Sequence, residues 1–297
     1  MEIAVIIVSY NFERWLDQCL GSLRKSTQPV DVIVVDNCST DNTIKLIEKY
    51  YPEVFLIKNQ RNEGFGKANN IGISQALNKN CNFVFLLNQD AWLDADTIEK
   101  LIEIIQKHPN FGILSPVHLN GKGDALDKGF SLYTGLREKI NLSVLQKKSS
   151  DPIPVRQINA ALWMLPKKTL KEIGGFSPVF HHYGEDMDYI NRLHYHGYEI
   201  GYCPVAFGYH DRESRKPQKE DLLFQLIEYS NINRNFFSAF GYGVLGGFKK
   251  AFIALFDTGP KEFYRLFSIT IKILLKSNVV IQFRRINKKP SEYYFLD

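Results

Sequence analysis

Short polar clusters follow three of the most apolar runs in the chain. The cluster Asn88–Asp90 comes directly after the run FVFLL, and the clusters Ser9–Asn11 and Asp36-Asn37 follow runs of the same kind. In open α/β sheets, ligands bind at the carboxyl ends of parallel strands, so three such clusters on one edge predict a binding site. Each cluster alone is equally typical of a helix cap, and capping is the better interpretation of Ser39–Asp41.

A carboxylate at a strand end suits a divalent metal. The chain has neither G-x-G-x-x-G after its first strand nor G-x-x-x-x-G-K-[ST], so a nucleotide would need another partner for its phosphates. A metal on Asp90 would serve, because Mg²⁺ and Mn²⁺ prefer oxygen ligands and keep positions open for phosphate. Asp90 is otherwise interpreted as a turn residue. His210, at the end of CPVAFGYH, is a second candidate ligand. The alternative histidines are His181, His182, His194 and His196.

The segment HHYGEDMDYINR holds several acids where a loop enters a predicted helix. Glu185, Asp186 and Asp188 would interact favourably with the helix dipole, which by itself accounts for them. Paired carboxylates also shift each other's pKa, and that suits a general base. Asp188 and Arg192 are one helical turn apart, the spacing of a surface ion pair.

Strand and helix patterns alternate along the first 112 residues and must position these clusters. The alternation predicts parallel βαβ units. After that point the pattern loosens, and QKKSSDPIPV is predicted to be an exposed connector. The predicted strands are Ile3–Ser9, Asp31–Val35, Val54–Ile57, Phe83–Leu87, Ile158–Leu165 and the run IGYCPVAFGYHD. The predicted helices are Arg14–Arg24, Thr43–Tyr50 and Asn69–Leu77, with another after GED.

The composition narrows the class of protein. The 297 residues are 44% hydrophobic and 23% charged, which predicts a globular chain with one large domain and an appendage. A net charge of +5 is too small to require a nucleic acid partner. Four scattered cysteines predict reduced thiols in a cytosolic protein. The start, MEIAVIIVSYN, lacks the features of a signal peptide, and without an uninterrupted apolar run of about 18 residues no spanning helix is expected.

The tail from about residue 236 differs from the rest of the chain. It is aromatic and aliphatic, and residues 271–289 contain six basic side chains and no acid. A basic amphipathic stretch can lie on an anionic membrane surface. The apolar side chains could equally pack against the preceding domain.

Six motifs, taken together, resemble a known family. VIIVSYN, VIVVDNCSTDNT, NEGFGKANNIGI, FLLNQDAWL, GEDMDYINR and GYH occur in the order and approximate spacing of family 2 inverting glycosyltransferases. The forms DNxSxD, NxGFGxANNxG and LNxD are similar to the bacterial rhamnosyltransferase-like branch. The resemblance covers about residues 3 to 235 and implies a GT-A fold, an α/β fold whose mostly parallel central sheet is flanked by helices. It implies a nucleotide-sugar half (1–115), an acceptor half (116–235) and a C-terminal helical, basic extension (236–297).

The resemblance also implies roles for site residues. Asp90 matches the last residue of the DxD motif, the ligand of Mg²⁺ or Mn²⁺, and His210 matches a histidine that completes this metal site in some members. Asp186 matches the catalytic base and Glu185 its neighbour. Asn88 replaces the first acid of the motif, so it can accept hydrogen bonds but adds no charge for the metal. The other positions that match the nucleotide pocket are Ser9, Tyr10, Asp36, Asn37, Arg61, Gly64, Lys67 and Asn70.

The implied reaction is transfer of a sugar from a nucleotide diphosphate donor, with inversion, during synthesis of bacterial cell-surface polysaccharide. The branch suggests dTDP-rhamnose as donor and a glycan or lipid-linked saccharide as acceptor, in the cytoplasm or on the inner face of the cell membrane. Two other classes stay open. One is a nucleotidyltransferase of similar fold, although SYNFERW is not its Gly-rich loop. The other is a non-catalytic sugar-nucleotide-binding subunit, against which Asp90, Asp186 and His210 together argue.

Overall fold

A computed structural model describes residues 3–138, 151–212 and 221–293. The predicted connector lies partly outside these residues. The described strands are β1 (Ile3–Ser9), β2 (Asp31–Asp36), β3 (Phe55–Lys58), β4 (Phe83–Leu87), β5 (Ala91–Leu93), β6 (Phe111–Asn120), β7 (Ile153–Pro154), β8 (Leu162–Pro166) and β9 (Glu199–His210). The described helices are α1 (Leu16–Arg24), α2 (Thr43–Tyr50), α3 (Phe65–Asn78), α4 (Thr97–Lys107), α5 (Lys128–Thr134), α6 (Lys167–Ile173), α7 (Glu185–Tyr195), α8 (Asp221–Ser230), α9 (Phe236–Asp257), α10 (Pro260–Leu275) and α11 (Ser277–Ile286).

One sheet of nine strands forms the centre, in the order β3-β2-β1-β4-β8-β6-β9-β5, with β7 paired to β9. Strands β1 to β4 are parallel, β8 is antiparallel to β4 and β6, and β9 is parallel to β6. Most strands therefore point the same way, and the predicted α/β fold with a C-terminal helical extension is confirmed. The short antiparallel β5 pairs with the end of β9, which brings Ala91 opposite His210.

Helices cover both faces of the sheet, which explains why the strands read as continuous apolar runs. Ala4 and Ile6 of β1 pack on the face covered by α3, while Ile3, Val5 and Ile7 pack on the face covered by α1 and α4. Each face forms its own apolar core.

Two predicted elements begin four residues away from the predicted position, and strand β6 was not predicted. Helix α3 begins at Phe65, four residues earlier than predicted, because Gly64 (φ 81°) turns the chain directly into the helix. Strand β6 is ten residues long and was hidden in the loosened pattern, because it is buried on both faces and so shows no alternation. Strand β8 begins at Leu162, after an irregular stretch that the apolar periodicity does not distinguish from strand.

The tail packs on the preceding domain. Val179 and Phe180 share an apolar cluster with Tyr229 of α8 and with Val280 and Phe283 of α11. The tail was expected either to lie on a membrane surface or to pack on the preceding domain, and α11 packs on the domain. Large apolar side chains elsewhere in the tail stay exposed, among them Phe237, Phe256, Tyr264 and Leu275.

The expectation that no helix could span a membrane was wrong in terms of length and composition. Helix α9 has 22 residues and reaches a mean hydropathy of 1.2, although serine, glycine and lysine interrupt its apolar run. Helices α10 and α11, bent by 50° relative to each other, reach the length and hydropathy of a membrane span only when taken together. A third of the most apolar window of α9 is buried in the folded chain, as in core helices of this composition.

Asp188 and Arg192 form a buried ion pair, not the surface pair that their spacing suggested. Arg192 Nε donates to Asp188 Oδ2 at 3.0 Å, and both side chains are 1% exposed. The remaining guanidinium nitrogens donate to the carbonyls of Ile173 and Gly175 at 2.7 and 2.8 Å. The ring of Phe283 in α11 lies 5.4 Å away, so one side chain joins α7, the end of α6 and the tail.

We expect Arg192→Met to lower the free energy of unfolding by about 3 kcal/mol, because it leaves the Asp188 carboxylate buried without its partner. Urea denaturation measures this loss. Lys58→Met is the matched control, since Lys58 and Glu48 form an exposed pair that contributes less than about 1 kcal/mol. Equal midpoints for the two variants would contradict this prediction.

Candidate functional site

Side-chain hydrogen bonds hold the carboxyl ends of β1 and β2 in place. The buried Asp36 carboxylate accepts hydrogen bonds from Ser9 Oγ and the Ser39 backbone amide, both at 2.9 Å. Asn37 Oδ1 accepts from Asn59 Nδ2 and the Glu63 amide, both at 3.0 Å. These contacts fix the loop that follows β3 against the end of β2.

The end of β4 is tied to the end of β1 by Gln89, a residue to which the sequence reasoning gave no role. Its side-chain amide pairs with the Tyr10 backbone, with distances of 2.8 and 3.2 Å. The ring of Tyr10 remains half exposed beside this contact. Asn88 donates its backbone N–H to the Ala161 carbonyl at 2.9 Å, while its half-buried side chain makes no hydrogen bond within the described residues. The Asn88 amide is therefore free to contact a ligand.

Asp90 and His210 lie together, as the metal prediction requires. Asp90 Oδ1 is 3.3 Å from His210 Nε2, and both side chains are buried. On the other side of the ring, His210 Nδ1 is 3.6 Å from Asp127 Oδ2. A carboxylate behind a histidine is the usual arrangement that orients a metal-binding imidazole. These carboxylate and imidazole donors could hold a divalent metal ion, beside the open side chain of Asn88.

Asp127 was missed by the sequence reasoning. It caps α5 by accepting from the Phe130 amide at 2.9 Å, so in the sequence it looks like an ordinary N-cap. With His118 and His210 it forms a buried group whose ligand atoms lie within 4.8 Å of one another. Burial, and then the charges of His210 and Arg212, lower the pKa of His118 well below its usual value, so its ring is neutral. Its Nε2 lies 2.7 Å from Ser115 Oγ.

Glu185 and Asp186 form a carboxyl pair at the start of α7. Burial and the charge of Asp186 raise the pKa of Glu185 to about 8. Burial also raises the pKa of Asp186, while the Met187 amide at 2.7 Å and the Arg212 charge work against that rise. Glu185 therefore holds a proton at neutral pH, while the Met187 amide and the Arg212 charge favour the ionised form of Asp186.

Arg212 is the second residue that the sequence reasoning missed. Its Nε is 3.8 Å from Asp127 Oδ2. Its charge opposes the rise in the pKa of Asp186 and contributes to the lowered pKa of His118. It thus acts electrostatically on Asp186 from beside Asp127, the carboxylate behind His210. Its only sequence signal was its position two residues after GYH.

The predicted nucleotide-pocket residues after β3 surround a cavity of about 400 Å³. Arg61 Nε and Lys67 Nζ lie 2.8 and 3.6 Å from the two oxygens of Glu63. A Cβ at Gly64 would meet the His181 carbonyl at 2.2 Å, so only glycine lets these loops approach. Asn70 is buried and pairs with both backbone groups of Phe176, at 2.7 and 2.9 Å, which gives it a bracing role at the cavity wall.

The alternative histidines are not brought to the Asp90 edge. His181 lines the cavity beside Gly64, and His182 lies against the ring of Tyr183. His196 Nε2 donates to the Asn287 carbonyl at 2.8 Å, which binds α7 to the tail. His194 contacts the carbonyls of Tyr198 and Arg156.

Two family models match the chain. The model for Glycosyl transferase family 2 matches residues 4–161, and the model for Glycosyl transferase family group 2 matches residues 83–241. The N-acetylglucosaminyl-diphospho-decaprenol L-rhamnosyltransferase of Mycobacterium tuberculosis is 25% identical over 226 residues, which are 68% of this chain and 73% of that protein. The poly(ribitol-phosphate) beta-N-acetylglucosaminyltransferase TarS of Staphylococcus aureus is 32% identical over 130 residues, 41% of this chain and only 22% of TarS.

Solved structures share the fold. TarS 1-349 in complex with UDP superposes with a TM-score of 0.59 at 17% identity, covering 97% of this chain and 90% of that one. GalNAc-T7 with UDP, GalNAc and Mn²⁺ superposes with a TM-score of 0.64 at 15% identity, covering 98% of this chain and 55% of that one. The fold of this chain is GT-A, as the resemblance implied.

The raised pKa of Glu185 predicts a pH-dependent stability. The folded chain holds this proton more tightly than the unfolded chain, so the stability that it gives is lost as pH rises towards about 8. Glu185→Gln stays neutral, and its melting temperature should exceed that of the parent by roughly 3 °C or more at pH 8.5 and by less at pH 5. Differential scanning calorimetry at both pH values measures the change.

Glu53→Gln is the control for this experiment. The pKa of Glu53 is lowered by its hydrogen bond to Arg24, so its contribution is lost only as pH falls and cannot produce a change between pH 5 and 8.5. If Glu185→Gln and the parent had parallel pH profiles over this range, the assignment of the proton to Glu185 would be wrong.

Proposed function

The chain belongs to glycosyl transferase family 2, and from that premise we propose that it transfers a sugar with inversion from a nucleotide diphosphate donor to an acceptor hydroxyl. The observation that carries this proposal is the arrangement around Arg212. The Arg212 Nε lies 3.8 Å from Asp127, the carboxylate behind His210, and the Arg212 charge acts on Asp186. The Asp90–His210 pair could hold a metal ion for the leaving diphosphate. The Glu185–Asp186 pair could accept the proton of the attacking hydroxyl.

Asp186 acts as the base in this proposal. It removes the proton of an acceptor hydroxyl, whose oxygen attacks the anomeric carbon from the face opposite the nucleotide, while the bond to the diphosphate breaks. Glu185, protonated at neutral pH, can donate a hydrogen bond, and the Arg212 cation favours the ionised form of Asp186. Asp90 and His210 would hold Mg²⁺ or Mn²⁺, which supplies positive charge for the departing diphosphate.

In this proposal the nucleotide binds at the carboxyl ends of β1, β2 and β4 and in the cavity of about 400 Å³. Tyr10 offers an exposed ring for the base, and Asn88 offers an unengaged amide for the ribose or the metal-bound water. Arg61 and Lys67 bring cations to the wall of the cavity, where Gly64 lets the loops close. Ser9, Asp36, Asn37 and Asn70 act through the backbone that they hold.

The donor and the acceptor are proposed from the relatives. The mycobacterial relative is an L-rhamnosyltransferase whose name includes a diphospho-decaprenol. It supports a rhamnose donor, for which we propose dTDP-rhamnose, and a lipid-linked saccharide as acceptor. TarS is named for N-acetylglucosamine transfer to poly(ribitol-phosphate), so both names fit cell-surface glycan synthesis. We place the reaction at the inner face of the cell membrane.

We expect Asp186→Asn to retain donor binding and to lose roughly 10²–10⁴-fold in turnover, because only the proton-accepting group is removed. Thermal shift with a panel of sugar nucleotides, with and without Mn²⁺, identifies the donor, which should raise the melting temperature more when metal is present. Asp124→Asn, in an exposed turn, is the control. Turnover retained in Asp186→Asn, or a panel in which no sugar nucleotide stabilises the chain, would contradict the proposal.

The tail supports association with a membrane surface as a further part of this function. Phe237 and Phe256 are each 85% exposed on α9, and residues 271–289 of the same tail carry six basic side chains and no acid. Exposed aromatic side chains together with basic residues favour an anionic bilayer surface.

The double variant Phe237→Ser/Phe256→Ser should float several-fold less with anionic vesicles, because it removes two large apolar side chains that the bilayer would bury. Point variants are needed because α11 packs into the domain core, so deletion of residues 236–297 would expose that core. Leu132→Ser, 79% exposed outside the tail, is the matched control. Equal flotation of all forms would exclude the surface role.

A further inference from the structure

A second cavity lies between α8 and α9, and its wall includes none of the residues assigned to sugar transfer. Its volume is about 730 Å³. Phe224, Tyr242, Leu245 and Ile253 form its apolar wall and are each about half exposed, between 48% and 59%. A groove with this lining is suited to a hydrocarbon chain.

The groove is built by an irregular turn of α9. Residues Gly241–Leu245 form a π-helical turn, a feature that often marks functional sites. A Cβ at Gly243 would meet Tyr229 Cβ of α8 at 2.5 Å, and a Cβ at Gly247 would meet Thr270 Oγ1 of α10 at the same distance. The two glycines therefore hold the turn tightly against its neighbours, while Gly241 faces open space.

Gln225 gives the groove a polar floor. Its side chain is 1% exposed and lines the cavity, and its Nε2 has no hydrogen-bond acceptor within the described residues. The contact of its Oε1 is with Thr270 Oγ1 at 3.5 Å. A buried amide donor without an acceptor is costly, so the floor is prepared for a ligand atom that accepts a hydrogen bond.

The charge of the groove is positive. Lys249 and Lys250 line it, Lys250 Nζ lies 5.2 Å from the centre of the Phe224 ring, and no acid belongs to the described lining. An apolar wall, two cations and a buried donor together fit a ligand that joins a hydrocarbon chain to a phosphate.

The groove is also next to the carboxyl pair. Leu223, which precedes Phe224 in α8, packs so closely on Gly184 that a Cβ there would meet Leu223 Cδ1 at 2.6 Å. Gly184 immediately precedes Glu185 and Asp186. Consecutive residues of α8, Leu223 and Phe224, thus contact the start of α7 and line the groove.

We propose that this groove binds the hydrocarbon chain and phosphate of the lipid carrier to which the acceptor saccharide is attached. The proposal rests on the proposed transferase function. A lipid carrier is favoured over a bilayer phospholipid because the groove adjoins the carboxyl pair, where the saccharide of a carrier would have to lie. Membrane-surface contacts by Phe237 and Phe256 involve other residues of α9 and are separable from it.

Isothermal titration of the full chain with decyl phosphate, below its micelle concentration, tests the binding directly. We expect one site, with decyl glucoside (the same chain without charge) and inorganic phosphate (charge without chain) each binding about 10-fold more weakly or not at all. Lys249→Ala/Lys250→Ala and Leu245→Glu should each weaken decyl phosphate at least about 10-fold. Lys272→Ala/Lys288→Ala, of equal charge change and outside the groove, should leave it unchanged. Equal binding of decyl glucoside, or loss in the control variant, would overturn the proposal.

Kinetics and flotation distinguish the carrier from the bilayer. Leu245→Glu should raise the KM for a lipid-linked acceptor about 10-fold, while the thermal shift by the sugar nucleotide and flotation with vesicles stay unchanged. Loss of flotation with an unchanged KM would identify the groove as a bilayer anchor and overturn the proposal. Absence of a thermal shift by any sugar nucleotide would reject the transferase function instead, and decyl phosphate binding would still report on the groove.

Discussion

The buried guanidinium of Arg192 is the contact on which the placement of the site depends. It lies in α7, the helix whose first residues are Glu185 and Asp186, and it makes charged and carbonyl contacts on every side. A cation without water is stable only when its donors are satisfied, so Asp188, Ile173 and Gly175 must keep their positions around it. The carboxyl pair is thus fixed by a contact about two turns further along the same helix.

The same contact explains why the tail cannot be treated as a separate appendage. Phe283 lies against the Arg192 guanidinium, and Arg284 of the same helix donates to the carbonyls of Tyr229 and Arg234. The tail therefore completes the environment that stabilises α7. It also carries the exposed apolar side chains and the groove, so one segment both supports the site and offers surfaces to a lipid.

Burial is the main cause of the shifted pKa values in the site, and the Arg212 cation modifies them. Burial is the leading cause of the raised pKa of Glu185 and Asp186 and of the lowered pKa of His118. Arg212 opposes this effect at Asp186, and no such opposing charge acts on Glu185. Two neighbouring acids that are alike in sequence are therefore subject to different local charges.

Six of the nine described strands, the polar clusters at strand ends and the order of the six motifs were determined by the sequence alone, because apolar runs and turn chemistry are local properties. The GT-A fold and the family followed from them and are confirmed. The assigned roles of Tyr10, Asn88, Asp90, Asp186 and His210 remain predictions, although the structure places these residues at the carboxyl edge or beside it. The tertiary structure decided what depends on distant neighbours. Asp127 looks like a helix cap until β9 brings His210 to it, and Arg212 has no role until both pairs surround it. The Asp188–Arg192 spacing is the same for an exposed and a buried ion pair. The packing of α11 against α7, with Phe283 over Arg192, excludes water from this pair.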